Sequence, residues 1–336
     1  MMGRIGWLTT DNALYRIQIQ LNRISATPVL ITQPYSFTAS ETAGAVTVAV
    51  FRNHHIFIRT SEDGGRRWIT WGMVPSPYPP WQLTIQRSTG WLETSPGPAG
   101  PAMPAQLWRT TDGGHQWTLV AQAPGGIGAE TSHRLPNGGQ FTWTSPTTGW
   151  LIPYPKPSAD QFFVYQTSSG GNRWVPIAPT WPPGRQVTQV LRVGALVPDN
   201  RHQVMVLIQW GGRRSGWQAV SWGGSHHHGW SRLLPDYANA VISTNGATRQ
   251  FWIAAGTDLW TITASSRETP QTTQVTTALP WRGTLVALQL SSASGWALII
   301  TADNRPELWM TTNGGRSWHL QATQFTITRE SGRDSS

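Results

Sequence analysis

Three adjacent histidines, His226-His227-His228, form the densest run of metal-type ligands in this sequence, and His54-His55 is a second, shorter run. Imidazoles can hold a transition metal or shuttle protons. Adjacent residues on one turn rarely converge on a single ion, however, and no carboxylate stands beside the triple run. It reads as a solvated polar turn, and His54-His55 reads likewise as an exposed turn; no metal site is predicted. Carboxylates are scarce, with 16 Asp and Glu in 336 residues. Glycoside hydrolysis needs a pair of them, and the loop candidates Asp11, Glu130, Asp160, Asp236 and Asp303 sit in no recognisable motif. No Ser/His/Asp arrangement or phosphate-binding glycine loop is present, and no cofactor is implied. The chain has no cysteine, so no disulfide framework exists.

The chain instead repeats one short segment. It runs Ser61-Glu-Asp63-Gly-Gly65-Arg-Arg-Trp68, Thr110-Thr-Asp112-Gly-Gly114-His-Gln-Trp117, Thr167-Ser-Ser169-Gly-Gly171-Asn-Arg-Trp174 and Thr311-Thr-Asn313-Gly-Gly315-Arg-Ser-Trp318. Asp, Asn and Ser are the residues whose short side chains bind backbone N–H groups just ahead of them in a turn. The glycines supply positive φ at no steric cost. Strand-like sequence flanks each copy, such as His55-Ile-Phe-Ile-Arg-Thr60 before the first. The unit reads as a β-hairpin with a side-chain-locked turn, and its tryptophan packs on neighbouring sheet.

These segments resemble the Asp-box, or bacterial neuraminidase repeat, of sialidases, sortilin-type domains, some plant-wall glycosidases and the photosystem II assembly factor family. The resemblance implies a β-propeller, with the box on the hairpin between the third and fourth strands of a blade. It also implies that the box residues Ser61, Asp63, Gly65, Trp68, Thr110, Asp112, Gly114, Trp117, Thr167, Gly171, Trp174, Thr311, Asn313, Gly315 and Trp318 are structural.

A second recurrence numbers the blades. Gly-Trp opens a strand at Gly6-Trp7, Gly90-Trp91, Gly149-Trp150 and Gly295-Trp296. Four antiparallel strands per repeat then cover 35–75, 82–122, 139–178 and 284–322 with a box, and 186–235 and 239–279 without one. The N-terminal stretch 5–31 lacks a first strand, and 324–328 carries a spare one. Joining the two gives an all-β, seven-bladed β-propeller closed by pairing the C-terminal strand with the N-terminal blade. Closure removes exposed sheet edges. One domain spans 1–328, followed by a tail at 329–336; six or eight blades fit the same spacing within a few residues.

Net charge is +9, and a single lysine, Lys156, stands among the 25 basic residues. This balance favours an acidic partner. The arginines are scattered rather than clustered, so nucleic acid is disfavoured. No apolar run reaches the roughly 20 residues of a membrane span, and Met1-Met-Gly-Arg4 leads straight into a strand rather than a signal peptide. Low charge and abundant Thr, Ser and Trp predict an extracytoplasmic protein, with either a truncated reading frame or a domain cut from a longer anchored chain behind the abrupt start; a cytoplasmic protein is the alternative.

Alternate turns of an antiparallel blade fall on opposite faces. The boxes share one face with the turns between first and second strands. The long proline-rich connections fall on the other, at 75–81, 95–104, 153–160, 179–184 and 280–283. Proline stiffens such loops and lowers the entropy lost on binding. Tyr78, Trp81, Tyr154, Trp181 and Trp281 are the candidate aromatic contacts there, with Arg185, Arg213, Arg214 and Arg282; Arg52, Lys156 and Arg305 lie on the same side. Aromatics on rigid loops suit sugar rings or protein hot spots, unless they bury themselves at the blade ends.

Sialidases mark their first substrate arginine with Arg-Ile-Pro after an aromatic. The nearest approach here, Tyr15-Arg16-Ile17-Gln18, lacks the proline, and Arg59 and Arg109 recur in the same register. The expectation is therefore a non-catalytic binding or assembly scaffold, closest to the photosystem II assembly factor type, with a protein or polysaccharide partner. The alternative is a sialidase-like glycoside hydrolase or a carbohydrate-binding propeller.

Overall fold

A computed structural model describes residues 4–9, 13–20, 23–31, 37–42, 45–96, 104–123, 139–153, 164–177, 189–199, 203–211, 216–223, 226–231, 234, 240–245, 250–255, 257–263, 270–276, 278–291, 293–322 and 325–327. Every regular element among them is a β-strand, and the strands form four-stranded sheets.

The chain divides into two compact units. The first holds 1–138, the turn Gly170–Arg173 and 324–336. Its sheets are β1 (Arg4–Thr9), β2 (Ala13–Gln20) and β3 (Arg23–Ile31); β4 (Phe37–Thr42), β5 (Ala45–Arg52), β6 (His55–Ser61) and β7 (Ile69–Pro75); and β8 (Pro80–Gln86), β9 (Thr89–Thr94), β10 (Gln106–Thr110) and β11 (Thr118–Gln122). The second unit holds the rest. Its sheets are β12 (Gly139–Trp143), β13 (Gly149–Pro153), β14 (Val164–Thr167) and β15 (Val175–Ile177); β16 (Gln189–Asp199), β17 (Gln203–Gly211), β18 (Gly216–Gly223) and β19 (His226–Trp230); β20 (Val241–Asn245), β21 (Gln250–Ala255), β22 (Asp258–Thr263) and β23 (Gln271–Thr276); and β24 (Thr284–Leu290), β25 (Gly295–Ile300), β26 (Pro306–Thr311) and β27 (His319–Ala322).

Each of these sheets is an antiparallel meander in chain order. First strands of consecutive sheets are neighbours: β4 beside β8 in the first unit, and β12 beside β16, β16 beside β20 and β20 beside β24 in the second. Apolar clusters fill the space between sheets. Ala49, Ile56 and Ile58 meet Leu83, Ile85 and Leu92 in the first unit. In the second, Leu207 and Trp217 meet Phe251 and Ile253, and Trp252 and Leu259 meet Leu290 and Ile299. The described packing thus joins five sheets through shared cores, against the seven blades expected from spacing.

Two of the Gly-Trp strands bury their indoles, whereas Trp296 is half-buried and donates its indole N–H to Gln289. Trp91 is 2% and Trp150 0% exposed. Glycine precedes Trp150 because the ring of Trp143 stands where a Cβ on Gly149 would go.

Fourth strands share a further device. One residue bulges out of the ladder in β7 (Trp71), β11 (Val120), β19 (His228), β23 (Val275) and β27 (Gln321). A bulge twists the edge of a sheet and spoils it as a template for another strand.

Two expectations are corrected. The triple histidine is not a turn: His226–His228 open β19, with His226 opposite Gly223 and His227 opposite Trp222. Ladder pairing with β18 takes in the backbone of His226 and His227, and His228 is the bulged residue that follows. The C-terminal strand β28 (Phe325–Ile327) does join the N-terminal sheet, but it does not take the missing first position. It lies parallel to β3, with Phe325 opposite Ile24. That places it on the ladder edge that β1-β2-β3 leave open. The His54 turn is as expected: Asn53 and His54 both have positive φ, at 50° and 60°, between the paired Arg52 and His55. That is a two-residue turn of the primed type that hairpins favour.

Candidate functional site

The box turns are built by one hydroxyl and one acceptor. In the second box Thr110 donates to Asp112 Oδ1 at 2.7 Å and accepts the N–H of Gly114 at 3.0 Å. The same Oδ1 accepts the N–H groups of His115 and Gln116, both at 3.0 Å. The first box repeats this with Ser61, Asp63, Gly65, Arg66 and Arg67. Both glycines of each box have positive φ, from 68° to 109°.

These donors hold both carboxylates below their usual range. For Asp63 the N–H of Arg67 is the main cause, against an opposing desolvation. For Asp112 it is the N–H of Gln116, then the Thr110 hydroxyl. Asn313 keeps the geometry but takes one backbone donor, Ser317, and gives its Nδ2–H to the Ser317 hydroxyl. At the third box Thr167 and Ser169 pair their hydroxyls at 3.2 Å. An aspartate whose acceptor faces its own turn is a poor catalytic base or metal ligand. Among the described residues no group of three or more His, Asp or Glu side chains could hold a metal ion.

The boxes also join neighbouring repeats, which their sequence does not announce. A Cβ on Gly114 would touch Ile58 of the preceding sheet at 3.5 Å. One on Gly315 would clash with Leu259 of its preceding sheet at 2.5 Å. Within the first unit, Gly170 lies against the guanidinium of Arg109, and its carbonyl accepts the Trp91 indole N–H at 3.3 Å. His115 stacks on Trp71, centroids 5.1 Å apart. Two box tryptophans return to their own turn: Trp117 donates to the Gly114 carbonyl and Trp318 to that of Gly315. The indole nitrogens of Trp68 and Trp174 are buried with no such partner among the described residues.

At the opposite end, the loop 75–81 is the best described of the proline-rich connections. Buried Ser76 ties it down: its hydroxyl accepts the N–H of Tyr78 at 3.1 Å and lies 3.0 Å from the Tyr78 carbonyl and 3.1 Å from Thr94. Ser95 donates its N–H to the Pro79 carbonyl at 3.0 Å. Tyr78 is half-buried. Trp81 is 36% exposed, because β8 bulges there: Pro80 faces Thr94 and Gln82 faces Glu93, which leaves Trp81 out of the ladder.

The equivalent tryptophan of the second unit does the reverse. Trp281 is 8% exposed and stands edge-on to Trp318 at 5.0 Å, with Trp309 at 6.1 Å. It belongs to the core and is withdrawn as a contact residue. Its neighbour Arg282 is exposed. Asp303 and Arg305 form an exposed ion pair at 2.9 Å within a turn that Thr301 closes. The Thr301 hydroxyl, first, and Arg305 hold Asp303 below its usual range. Tyr154, Trp181, Arg185, Arg213, Arg214 and Lys156 lie outside the described residues.

Sequence reasoning missed two exposed residues at this end. Met73 in β7 is 51% exposed, and Val286, the bulged residue of β24, is 53% exposed. The bulge leaves no mark in composition, since it arises from how two strands pair.

Against this geometry, no protein-family model and no curated protein sequence matches the chain. Solved structures do match along nearly its whole length. An oligogalacturonate lyase solved with manganese is 9% identical with a TM-score of 0.61, covering 93% of this chain and 86% of its own. Hsv2 of Kluyvelomyces marxianus is 10% identical with a TM-score of 0.51, over 95% and 93% of the two chains. Sqt1 of Saccharomyces cerevisiae is 11% identical with a TM-score of 0.51, over 94% and 80%. The fold is a β-propeller of four-stranded antiparallel blades. At such identities the likeness carries the fold and no activity. No helix among the described residues is long and apolar enough to cross a membrane.

Proposed function

We propose that this propeller is a non-catalytic binding or assembly scaffold that holds a protein partner through its proline-rich face. The reading rests on Trp81, an aromatic side chain turned outward by a bulge on a loop that buried hydroxyls already hold in place. A large exposed aromatic on a rigid loop offers contact area without an ordering cost. The repeated aspartates support the same reading, because their acceptors are committed to turns. We also propose that 1–328 form one domain and that the boxes are structural throughout. The box resemblance extends this to an assembly role of the photosystem II assembly factor type, without implying photosynthesis.

Affinity purification with quantitative mass spectrometry tests the proposal by comparing wild type, Trp81→Ala and Arg87→Glu, Arg87 being an exposed residue of the β8–β9 turn, which shares the face of the boxes. Partners lost with Trp81→Ala and kept with Arg87→Glu are expected. Identical partner sets for all three, or turnover of sialosides or glucans by the purified protein, would overturn it.

A further inference from the structure

Trp81 and Tyr78 are flanked by groups that choose between the two ligand classes such an aromatic pair suits. A sugar ring stacked on an aromatic also needs donors and acceptors around its rim. Here the nearest hydroxyls face inward. Ser76 and Thr94 are 1% and 0% exposed and bond to each other and to Gln106. What faces outward is apolar: Pro75, Pro77, Met73 and Trp81.

Charge comes from the adjacent turn. Pro75 lies opposite His55 in the β6–β7 ladder, and His55 lies opposite Arg52. Arg52 and His54 are exposed. Arg52 therefore sets a positive charge beside the apolar loop, and the turn Arg52-Asn53-His54-His55 holds no carboxylate.

Resting on the scaffold reading above, we propose that the surface formed by Met73, Pro75, Tyr78 and Trp81, with Arg52 and His54 at its edge, docks an extended polypeptide segment bearing an apolar anchor next to acidic residues. The apolar anchor lies on Trp81 and the flanking carboxylates face Arg52. Complementary charge sets register and on-rate, while the aromatic contact supplies most of the affinity. The loop is fixed before binding, so the segment alone is ordered.

A random dodecapeptide library displayed on phage, panned on the whole chain and read by sequencing, tests this. Enriched peptides should share a Leu, Ile, Phe or Trp next to Asp or Glu. Synthetic peptides carrying the consensus should bind Trp81→Ala about thirtyfold more weakly than wild type. Trp81→Phe should recover most of the loss, and Arg52→Glu should weaken binding in a salt-dependent way. Thermal melting of each variant checks that the fold is intact. The inference is overturned if no such consensus appears, or if Trp81-dependent binding is found only in a panel of oligosaccharides. Peptides insensitive to Trp81→Ala but lost with Arg282→Glu would sink this surface and leave the proline-rich face standing. Peptides lost only with Arg87→Glu would sink both.

Discussion

Trp81 and Trp281 follow the same cue, a proline-rich connection entering the first strand of a blade, and end in opposite environments. Trp81 is the bulged residue of β8 and remains 36% exposed. Trp281 stops short of β24, is buried in the core and stands against Trp318. The bulge of β24 falls instead on Val286. A difference of a few residues in where the strand begins decides whether the same indole is contact surface or core. The boxes of the two units differ as well: Asp63 and Asp112 in the first, Asn313 in the second.

Replacing the two tryptophans should separate them most clearly. Trp281→Ala should cost about 3–5 kcal/mol, the usual loss for a buried indole, read from denaturant unfolding at constant m-value. Trp81→Ala should change stability by less than about 0.5 kcal/mol. Equal losses would erase the distinction between core and surface.

Gly315→Ala tests the turn on which Leu259 and Trp318 pack. A Cβ there meets Leu259, and φ is +89°. Strain of this kind costs about 1–3 kcal/mol, read as a lowered melting temperature. An unchanged melting curve would mean that the turn is looser than the geometry states.

Thr110→Val should cost about 1–3 kcal/mol, since it leaves the Gly114 N–H buried without its acceptor. Thr311→Val should cost a similar amount through Gly315. A large gap between the two would show that the aspartate and asparagine boxes are not equivalent.

The smallest effect separates the boxes by pH. Asp63 and Asp112 titrate below the ordinary 3.8 in the folded chain. Their ionised forms therefore stabilise the fold above that value, and the contribution is lost as pH falls through the depressed pKa. Hydrogen exchange at Arg67 and Gln116 should accelerate below about pH 4, relative to intrinsic rates, while Ser317, bonded to neutral Asn313, should not follow. Parallel behaviour at all three amides would remove the aspartates as the cause.

The sequence alone determined the local parts. A hydroxyl, an acceptor and two glycines within five residues can satisfy one another only in a turn. The Ser61, Thr110 and Thr311 boxes and their hairpins were therefore legible, as was the four-stranded antiparallel sheet they punctuate. The fate of Trp281, the strand pairing of His226 and His227, and the parallel seat of Phe325 against Ile24 were not. The places of Trp281 and Phe325 depend on which distant segment occupies the adjoining space, and the pairing of His226 and His227 depends on where the short hairpin with β18 turns. Tertiary structure alone decided that Gly114 and Gly315 are the joints on which one repeat seats against the last, and that a bulge turns Trp81 outward. Both follow from packing between strands, which residue types constrain but do not specify.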